Sequence, residues 1–197
     1  VLVATGVYKA RDISAPGIGM GGIVPALDYL TASNRKSLGD EVADFDSGLL
    51  NAEGRDVVVI GGGDTAMDCV RTAIRQKANS VTCLYRRDRA NMPGSQREVA
   101  NAEEEGVDFR WLSAPQAFLG DNHVRAVQAQ KIHLGQPDAT GRQVPQIIED
   151  SSHEIPADLV IKALGFDPED IPTMFGAPEL EVSKWGTIGV DWRTMMT

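Results

Sequence analysis

Apolar positions along the 197-residue chain change spacing several times, and each change predicts where a strand gives way to a helix. Short apolar runs at 56–60, 80–85 and 107–112 predict three strands. Between them, apolar residues at helical spacing predict helices over 64–77 and 95–105. Three strands joined by two helices form a β-α-β-α-β unit, so the pattern predicts a parallel sheet flanked by helices.

The chain before this unit has a weaker pattern. Residues 1–5 predict a strand, and residues 6–23 predict a glycine-rich connector. Residues 24–33 predict a helix, followed by a polar, acidic loop over 34–54.

After the unit, residues 124–134 and 144–149 have an extended pattern and flank a turn-forming stretch at 136–141. This spacing predicts an antiparallel hairpin or meander inserted after the third strand. Residues 157–165 predict a strand that returns to the parallel sheet. The predicted fold class is therefore α/β, a Rossmann-like parallel sheet flanked by helices with an inserted antiparallel β hairpin or meander.

The apolar run 56–60 stops at three glycines, directly before a predicted helix. Gly61 would make the turn, Gly63 would allow a close approach of a ligand, and Ala66 would let the helix pack near the strand. This Gly-x-Gly-x-x-Ala pattern predicts a dinucleotide site with the pyrophosphate at the helix N-terminus. A similar glycine group at 19–22 lacks a preceding strand. The alternative is a strand-to-helix turn that binds nothing.

The end of the second predicted strand indicates which dinucleotide is bound. Arg86 lies 20 residues after Ala66, where an NAD site has a carboxylate for the ribose 2′-OH. Arginine at this position would pair with a 2′-phosphate, so the sequence favours NADP(H). Two alternatives stay open: Asp88 could contact the ribose instead, or the arginines could form a solvated turn.

The overall charge makes this basic stretch a local exception. The net charge is −9 and the pI is about 4.8, which argues against nucleic acid or an anionic membrane as partner. Neither a membrane-spanning segment nor a signal peptide is predicted. Cys69 and Cys83 are predicted to be small buried residues of a cytoplasmic, reducing environment. The three histidines have no metal-site spacing, and the Glu103-Glu104-Glu105 run is predicted to be a solvated helix end.

Four stretches together carry a family resemblance: Ala4-Thr5-Gly6, Gly61 to Cys69, Tyr85 to Ser95, and Ala163-Leu164-Gly165. They resemble the small, or beta, subunits of NADPH-dependent glutamate synthase, within the pyridine nucleotide-disulfide oxidoreductase-like group. The resemblance runs along nearly the whole chain. It implies that NADPH reduces FAD and that electrons continue through iron–sulfur clusters to a large, or alpha, subunit. That subunit makes glutamate from glutamine and 2-oxoglutarate.

The resemblance also implies roles for particular residues, and none of them is catalytic or a metal ligand. The pyrophosphate would be held by the turn and the start of the helix, and the 2′-phosphate by the arginines, with Arg89 the less certain third contact. The end of the return strand would line the nicotinamide side. In chain order these residues are Gly61, Gly62, Gly63, Asp64, Thr65, Ala66, Arg86, Arg87, Arg89, Ala163, Leu164 and Gly165.

The same resemblance implies a division of the chain. Residues 1–23 would be a stub and connector of an FAD domain, 24–165 an NADPH-binding domain, and 166–197 an incomplete return toward the FAD domain. FAD and iron–sulfur clusters are then expected only in a longer subunit, and this piece is expected to be inactive alone. Two alternatives remain: a related flavoprotein reductase of the pyrimidine dehydrogenase type, or a non-catalytic docking module using Trp185 and Trp192.

Overall fold

The computed structural model describes residues 6–137 and 143–197, so the predicted strand 1–5 and most of the predicted turn at 136–141 lie outside the described residues. The elements, in chain order, are β1 (Lys9–Ala10), β2 (Ile23–Pro25), α1 (Ala26–Ser37), α2 (Ala43–Asp46), β3 (Asp56–Ile60), α3 (Asp64–Arg75), β4 (Ser80–Leu84), α4 (Gln96–Glu104), β5 (Asp108–Arg110), β6 (Ser113–Gly120), β7 (Val124–Pro137), β8 (Gln143–Ile147), β9 (His153–Pro156), β10 (Leu159–Lys162), β11 (Phe166–Asp167) and α5 (Ile171–Phe175).

A five-stranded parallel sheet, in the order β2-β10-β3-β4-β5, lies at the centre of the unit Asp12–Leu164. Strand β3 is buried on both faces, which explains why its sequence is continuously apolar rather than alternating. Val57 and Val59 pack into one hydrophobic cluster, and Val58 and Ile60 into another. The parallel sheet therefore has a core on each face.

The two cores are covered by different kinds of structure. Buried residues of α1, α3 and α4 cover the face of Val57 and Val59. The other face is covered by the antiparallel sheet of β6, β7 and β9, through residues such as Phe118 and Val127. Strand β8 extends that sheet from β7. This arrangement confirms the predicted α/β fold, with the meander forming a whole layer of the unit.

The central prediction is confirmed in its elements, because strands β3 to β5 and helices α3 and α4 occur where the periodicity placed them. The prediction for residues 24–33 was wrong at its start. Ile23 and Val24 form a short strand paired with Val160 and Ile161, and the helix begins only after Pro25. Tertiary pairing with β10 thus overrides the helical pattern.

Three further differences come from pairing and packing that local sequence does not show. Helix α1 continues to Ser37 and α2 forms within the region predicted as loop. Strands β6 and β9 were not predicted, and both are held by antiparallel pairing with β7. The return strand is shorter than predicted, since β10 covers only Leu159–Lys162.

In the described part of the chain, the second unit consists of residues 6–11 together with Gly165–Thr197. Within it, β1 pairs antiparallel with β11, and the Arg11 guanidinium forms an ion pair with Asp167 at 2.7 Å. Helix α5 is capped at its start by Asp170, whose carboxylate accepts the Thr173 N–H, and at its end by Gly176 in the left-handed conformation. Trp185 and Trp192 in this unit are largely exposed. The predicted FAD-domain assignment of these segments stays a prediction.

Candidate dinucleotide-binding site

Three loops meet at one edge of the parallel sheet because three strands end in register. Ile60 is paired with Lys162 on one side and with Leu84 on the other. The chain therefore leaves β3 at Gly61, β4 at Tyr85 and β10 at Ala163 from neighbouring positions. The carboxyl-terminal edge of a parallel sheet is where α/β proteins bind their ligands.

Gly61 makes the turn out of β3, as the sequence predicted. Its φ is +152°, and a Cβ built on it would lie 2.1 Å from the carbonyl oxygen of Ala163. Its N–H donates to the Leu84 carbonyl at 3.2 Å, so the turn is tied to the neighbouring strand. Glycine is required here both by conformation and by the close passage of β10.

Gly63 precedes α3 and has a different environment. Its φ is −92°, and apart from Gly63 itself and its two chain neighbours no described residue has an atom within 4 Å of the position that a Cβ would take. The N–H groups of Gly63, Asp64 and Thr65 have no acceptor within the described part of the chain. Together these features leave an open helix N-terminus at Gly63, an arrangement whose N–H groups suit an anion.

The residues that follow show how α3 is placed. Ala66 is fully buried against the sheet, which agrees with the predicted close packing of helix and strand. The Asp64 carboxylate accepts the N–H of Ser95 at 2.9 Å. Its negative charge is thus used at the start of α4. The backbone N–H of Asp64, rather than its side chain, is the group suited to a phosphate.

The three arginines after β4 have different surroundings. Arg86 is exposed, and its side chain forms no ion pair with any residue described. The half-buried Arg87 donates from its guanidinium to the Gln143 carbonyl at 3.0 Å. Arg89 forms an ion pair with Glu103 at 2.7 Å and donates to Gln96. Arg86 is therefore the cation best placed for a new anionic ligand.

Asp88, the alternative ribose contact, is used within its own loop. Its Oδ1 accepts hydrogen bonds from the Asn91 backbone N–H at 2.9 Å and side-chain amide at 2.8 Å. This Asx-type turn satisfies one carboxylate oxygen and turns the chain back toward the glycines. The environment supports Arg86 over Asp88 as the residue facing the ribose.

The predicted nicotinamide-side residues have unequal positions. Ala163 is only 5% exposed and packs beneath Gly61. Leu164 is half-buried against the cluster between the two sheets. Gly165 belongs to the other unit and adopts a φ of +84°. The structure thus brings Ala163 to the glycine turn as a packing residue.

Sequence reasoning missed the contribution of the connector before α4. The N–H of Gly94 donates to the Gly62 carbonyl at 2.9 Å, and Met92 is buried in the core. A Cβ on Gly94 would lie 3.1 Å from the Gly62 carbonyl oxygen. The Met92-Pro93-Gly94 sequence indicated a loop between β4 and α4, but it did not indicate that this loop contacts the glycine turn. Its place beside the glycine turn depends on tertiary structure.

Charged and thiol side chains near the site are mostly structural. Cys69 and Cys83 are both buried, as predicted, and burial raises the pKa of the Cys83 thiol to about 12. Cys83 therefore stays protonated. The predicted solvated helix end is confirmed for Glu103 and Glu104, which are exposed, although Glu103 pairs with Arg89. It was wrong for Glu105, which is half-buried and pairs with Arg71 and Arg75.

The described residues include no cluster of side chains suited to hold a metal ion. None of the described helices is long and apolar enough to cross a bilayer.

The sequence pattern of one oxidoreductase family matches residues 1–196, nearly the entire chain. The chain belongs to the pyridine nucleotide-disulphide oxidoreductase family. This membership agrees with the glycine turn, the open helix N-terminus and the adjacent arginine.

Individual relatives of this oxidoreductase are also informative. It is 69% identical over 197 residues to the glutamate synthase [NADPH] small chain of Azospirillum brasilense, covering 100% of this chain and 41% of that protein. This confirms the resemblance that the motifs indicated. It is 34% identical over 200 residues to an NADP(+)-dependent formate dehydrogenase beta subunit of Moorella thermoacetica, covering 100% of this chain and 26% of that protein. The chain spans less than half the length of either relative.

Among solved structures, Mycobacterium tuberculosis FprA in complex with NADPH superimposes with a TM-score of 0.70 at 17% identity. The match covers 86% of this oxidoreductase and 50% of that chain. At this identity the likeness shows the fold alone.

Proposed function

We propose that this chain is the NADPH-binding part of a glutamate synthase small subunit. The observation that carries the proposal is the open N-terminus of α3 at Gly63 on the same sheet edge as Arg86, which is exposed and forms no ion pair with any described residue. Unsatisfied N–H groups suit a pyrophosphate, and a free guanidinium suits a 2′-phosphate. The similarity to glutamate synthase small chains supports the assignment to that enzyme.

The residues of the site suit the binding of NADPH in an extended pose across the sheet edge. The N–H groups at the start of α3 would hold the pyrophosphate, with Gly63 leaving room for it. Arg86 would pair with the 2′-phosphate, and Arg87 would support it from its anchor at Gln143. Arg89 would contribute little, because Glu103 already neutralises it.

In the complete subunit, bound NADPH supplies a hydride to FAD, and reducing equivalents then pass to a large subunit that forms glutamate. The residues of this chain bind and orient the nucleotide and carry no chemistry of their own. The parts of this proposal that concern FAD, the iron–sulfur clusters and the large subunit rest on the similarity to glutamate synthase small chains. The proposal includes a cytoplasmic location for the subunit.

The first test is a titration of the full chain with NADPH and with NADH at one fixed ionic strength. Arg86→Ala should weaken NADPH binding roughly tenfold to a hundredfold, because a charge-assisted contact to phosphate is lost. NADH lacks that phosphate, so its affinity should change little. Arg89→Ala is the matched control, since it removes the same charge from the same loop.

The outcomes separate the candidate functions. Equal losses in Arg86→Ala and Arg89→Ala would mean that only the general positive charge matters, and the assignment of Arg86 would fail. Absence of binding to either nucleotide would favour the docking module. Tight NADPH binding that depends on Arg86 supports the proposal.

A second candidate is the NADPH-binding part of another flavoprotein reductase. The similarity to a formate dehydrogenase beta subunit favours it, because the whole chain aligns with that protein too. Both candidates share the nucleotide site and differ in the electron acceptor. The test combines the complete subunit with a glutamate synthase large subunit and NADPH, and measures the glutamate formed. Glutamate formation favours the glutamate synthase assignment, and its absence favours another reductase.

A further inference from the structure

Gly62 is a glycine for a different reason from Gly61. Its backbone has no left-handed conformation, yet a Cβ built on it would lie 2.4 Å from two ring carbons of Tyr85. Such a contact is far inside van der Waals distance. The aromatic ring of Tyr85 therefore occupies the space that any side chain at position 62 would need.

The Tyr85 side chain is held in place by several neighbours. Its hydroxyl donates to the Asn91 carbonyl at 3.1 Å, and Trp111 packs against its ring edge-to-face with centroids 6.4 Å apart. Trp111 is in turn stacked on Phe109 at 4.8 Å. The main chain of Tyr85 donates to the Arg110 carbonyl and accepts from Ser113. The main-chain bonds hold the backbone of Tyr85, and its ring cannot turn away without losing the hydrogen bond to Asn91 and the contact with Trp111.

Strand β4 supports the glycine turn at a second point. Cys83 lies two residues before Tyr85, so both side chains leave the strand on the same face. The Cys83 thiol donates to the Gly61 carbonyl at 3.4 Å. One face of β4 and its extension thus contacts both Gly61 and Gly62.

The connector that follows Arg86 completes a closed set of contacts. Asn91 accepts from the Tyr85 hydroxyl, and three residues later the Gly94 N–H donates to Gly62. Gly62 in turn lies under the Tyr85 ring. Arg86 is the residue directly after Tyr85, so the same contacts fix the main chain that carries the candidate 2′-phosphate ligand.

We propose that Tyr85 is a positioning residue that sets the distance between the glycine turn and Arg86, and so lets one NADPH molecule contact both. This inference rests on the proposed function. The ring of Tyr85 determines where the glycine turn that would hold the pyrophosphate lies, while the backbone of Tyr85 determines the position of Arg86. A ligand that needs only one of the two contacts does not depend on Tyr85.

Two probes separate positioning from a general loss of structure. NADPH spans the pyrophosphate cradle and the arginine, whereas adenosine 2′-monophosphate carries the 2′-phosphate but no pyrophosphate. Tyr85→Ala should weaken NADPH binding by about tenfold or more and change binding of adenosine 2′-monophosphate by less than about twofold. Tyr85→Phe keeps the ring and should stay within about threefold of the parent for both ligands.

The partner side of the contact gives an independent variant. Gly62→Ala should weaken NADPH binding in the parent protein, because its methyl group meets the ring. In the double variant Gly62→Ala/Tyr85→Ala the methyl group has room, so the two losses should not add, and a coupling of about fivefold or more is expected. Tyr29→Phe is the control, since it removes a tyrosine hydroxyl bonded to Gln76 at 2.9 Å, at the C-terminal end of α3 and so at the opposite end of the helix from the turn.

The results overturn the inference in defined ways. If the parent binds NADPH and Tyr85→Ala binds it equally well, or loses both probes in equal measure, Tyr85 does not position the site. Additive losses in the double variant would contradict the contact with Gly62. If Tyr85→Ala fails to fold, the ratio of the two affinities in Gly62→Ala decides instead. A parent that does not bind NADPH refutes the proposed function and this inference with it, whereas a parent that binds NADPH while the variants give these contrary results refutes this inference alone.

Discussion

Gly61 and Gly63 stand two residues apart in the same turn, yet alanine should have opposite effects at the two positions. At Gly61 a Cβ would lie 2.1 Å from a backbone oxygen, whereas at Gly63 the space within 4 Å is free of described atoms. Gly61→Ala should therefore damage the fold. Gly63→Ala should spare the fold and obstruct the ligand.

The cost at Gly61 has three parts. Its φ of +152° is unfavourable for alanine by about 1–3 kcal/mol. Relief of the overlap with Ala163 should cost about 1–3 kcal/mol more, as in other overpacked sites. Movement of Ala163 would also weaken its 2.9 Å hydrogen bond to the Ile60 carbonyl, by about 1 kcal/mol. The total is about 3–7 kcal/mol, a large part of the stability of a typical domain.

For Gly63→Ala, the stabilising and destabilising contributions to the free energy of unfolding nearly cancel. Alanine is a poorer helix cap than glycine by several tenths of a kcal/mol, but it restricts the unfolded chain by about 0.4–1 kcal/mol. We therefore expect the free energy of unfolding to change by less than about 1 kcal/mol. The added methyl group would stand where a pyrophosphate approaches the α3 N–H groups. NADPH affinity should fall by about tenfold or more.

Urea denaturation followed by circular dichroism measures the first quantity, and calorimetric titration with NADPH measures the second. Adenosine 2′-monophosphate is the internal control, since its binding should be unaffected by Gly63→Ala. If Gly63→Ala binds NADPH as tightly as the parent, the pyrophosphate does not lie at the start of α3. If Gly61→Ala is as stable as the parent, the Ala163 carbonyl does not restrict the side chain at position 61.

Two further predictions concern the contacts between α3 and the following helix. Hydrogen bonds from Arg71 hold the pKa of Glu105 below its ordinary value, so the carboxylate stabilises the fold above that ordinary value and loses its effect as the pH falls through the lowered pKa. Glu105→Gln should cost about 1 kcal/mol at pH 7 in urea denaturation and approach the parent in stability as the pH falls through the lowered pKa of Glu105; a difference that does not shrink with falling pH would contradict the ion-pair origin. Asp64→Ala removes the acceptor of the Ser95 N–H at 2.9 Å and should cost about 1 kcal/mol, whereas Asp64→Asn keeps an oxygen acceptor and should restore most of it. Equal losses in the two variants would refute the capping role.

Local pattern was sufficient for the centre of the fold. The run Asp56–Ile60 is apolar throughout and stops at glycines, so its type, its end and the following helix could all be predicted. The strands in the connector before α1 and in the meander were harder to predict from the sequence. Ile23–Pro25 is a strand only because β10 lies beside it, and Ser113–Gly120 contains Pro115 and is held by pairing with β7. Such strands are specified by their partners rather than by their own sequence.

The candidate site divides in the same way. The sequence by itself determined the glycine turn, the helix that follows it and a basic stretch after the next strand, because spacing along a strand-turn-helix segment is a local property. Only the tertiary structure decided that Arg89 is paired, because Glu103 reaches it from another element, while Arg86 has no ion-pair partner in the described part of the chain. It also decided that Ala163 lies under Gly61 and Tyr85 over Gly62. Those contacts join residues of different strands, and the register of the parallel sheet, which no single segment encodes, brings them together.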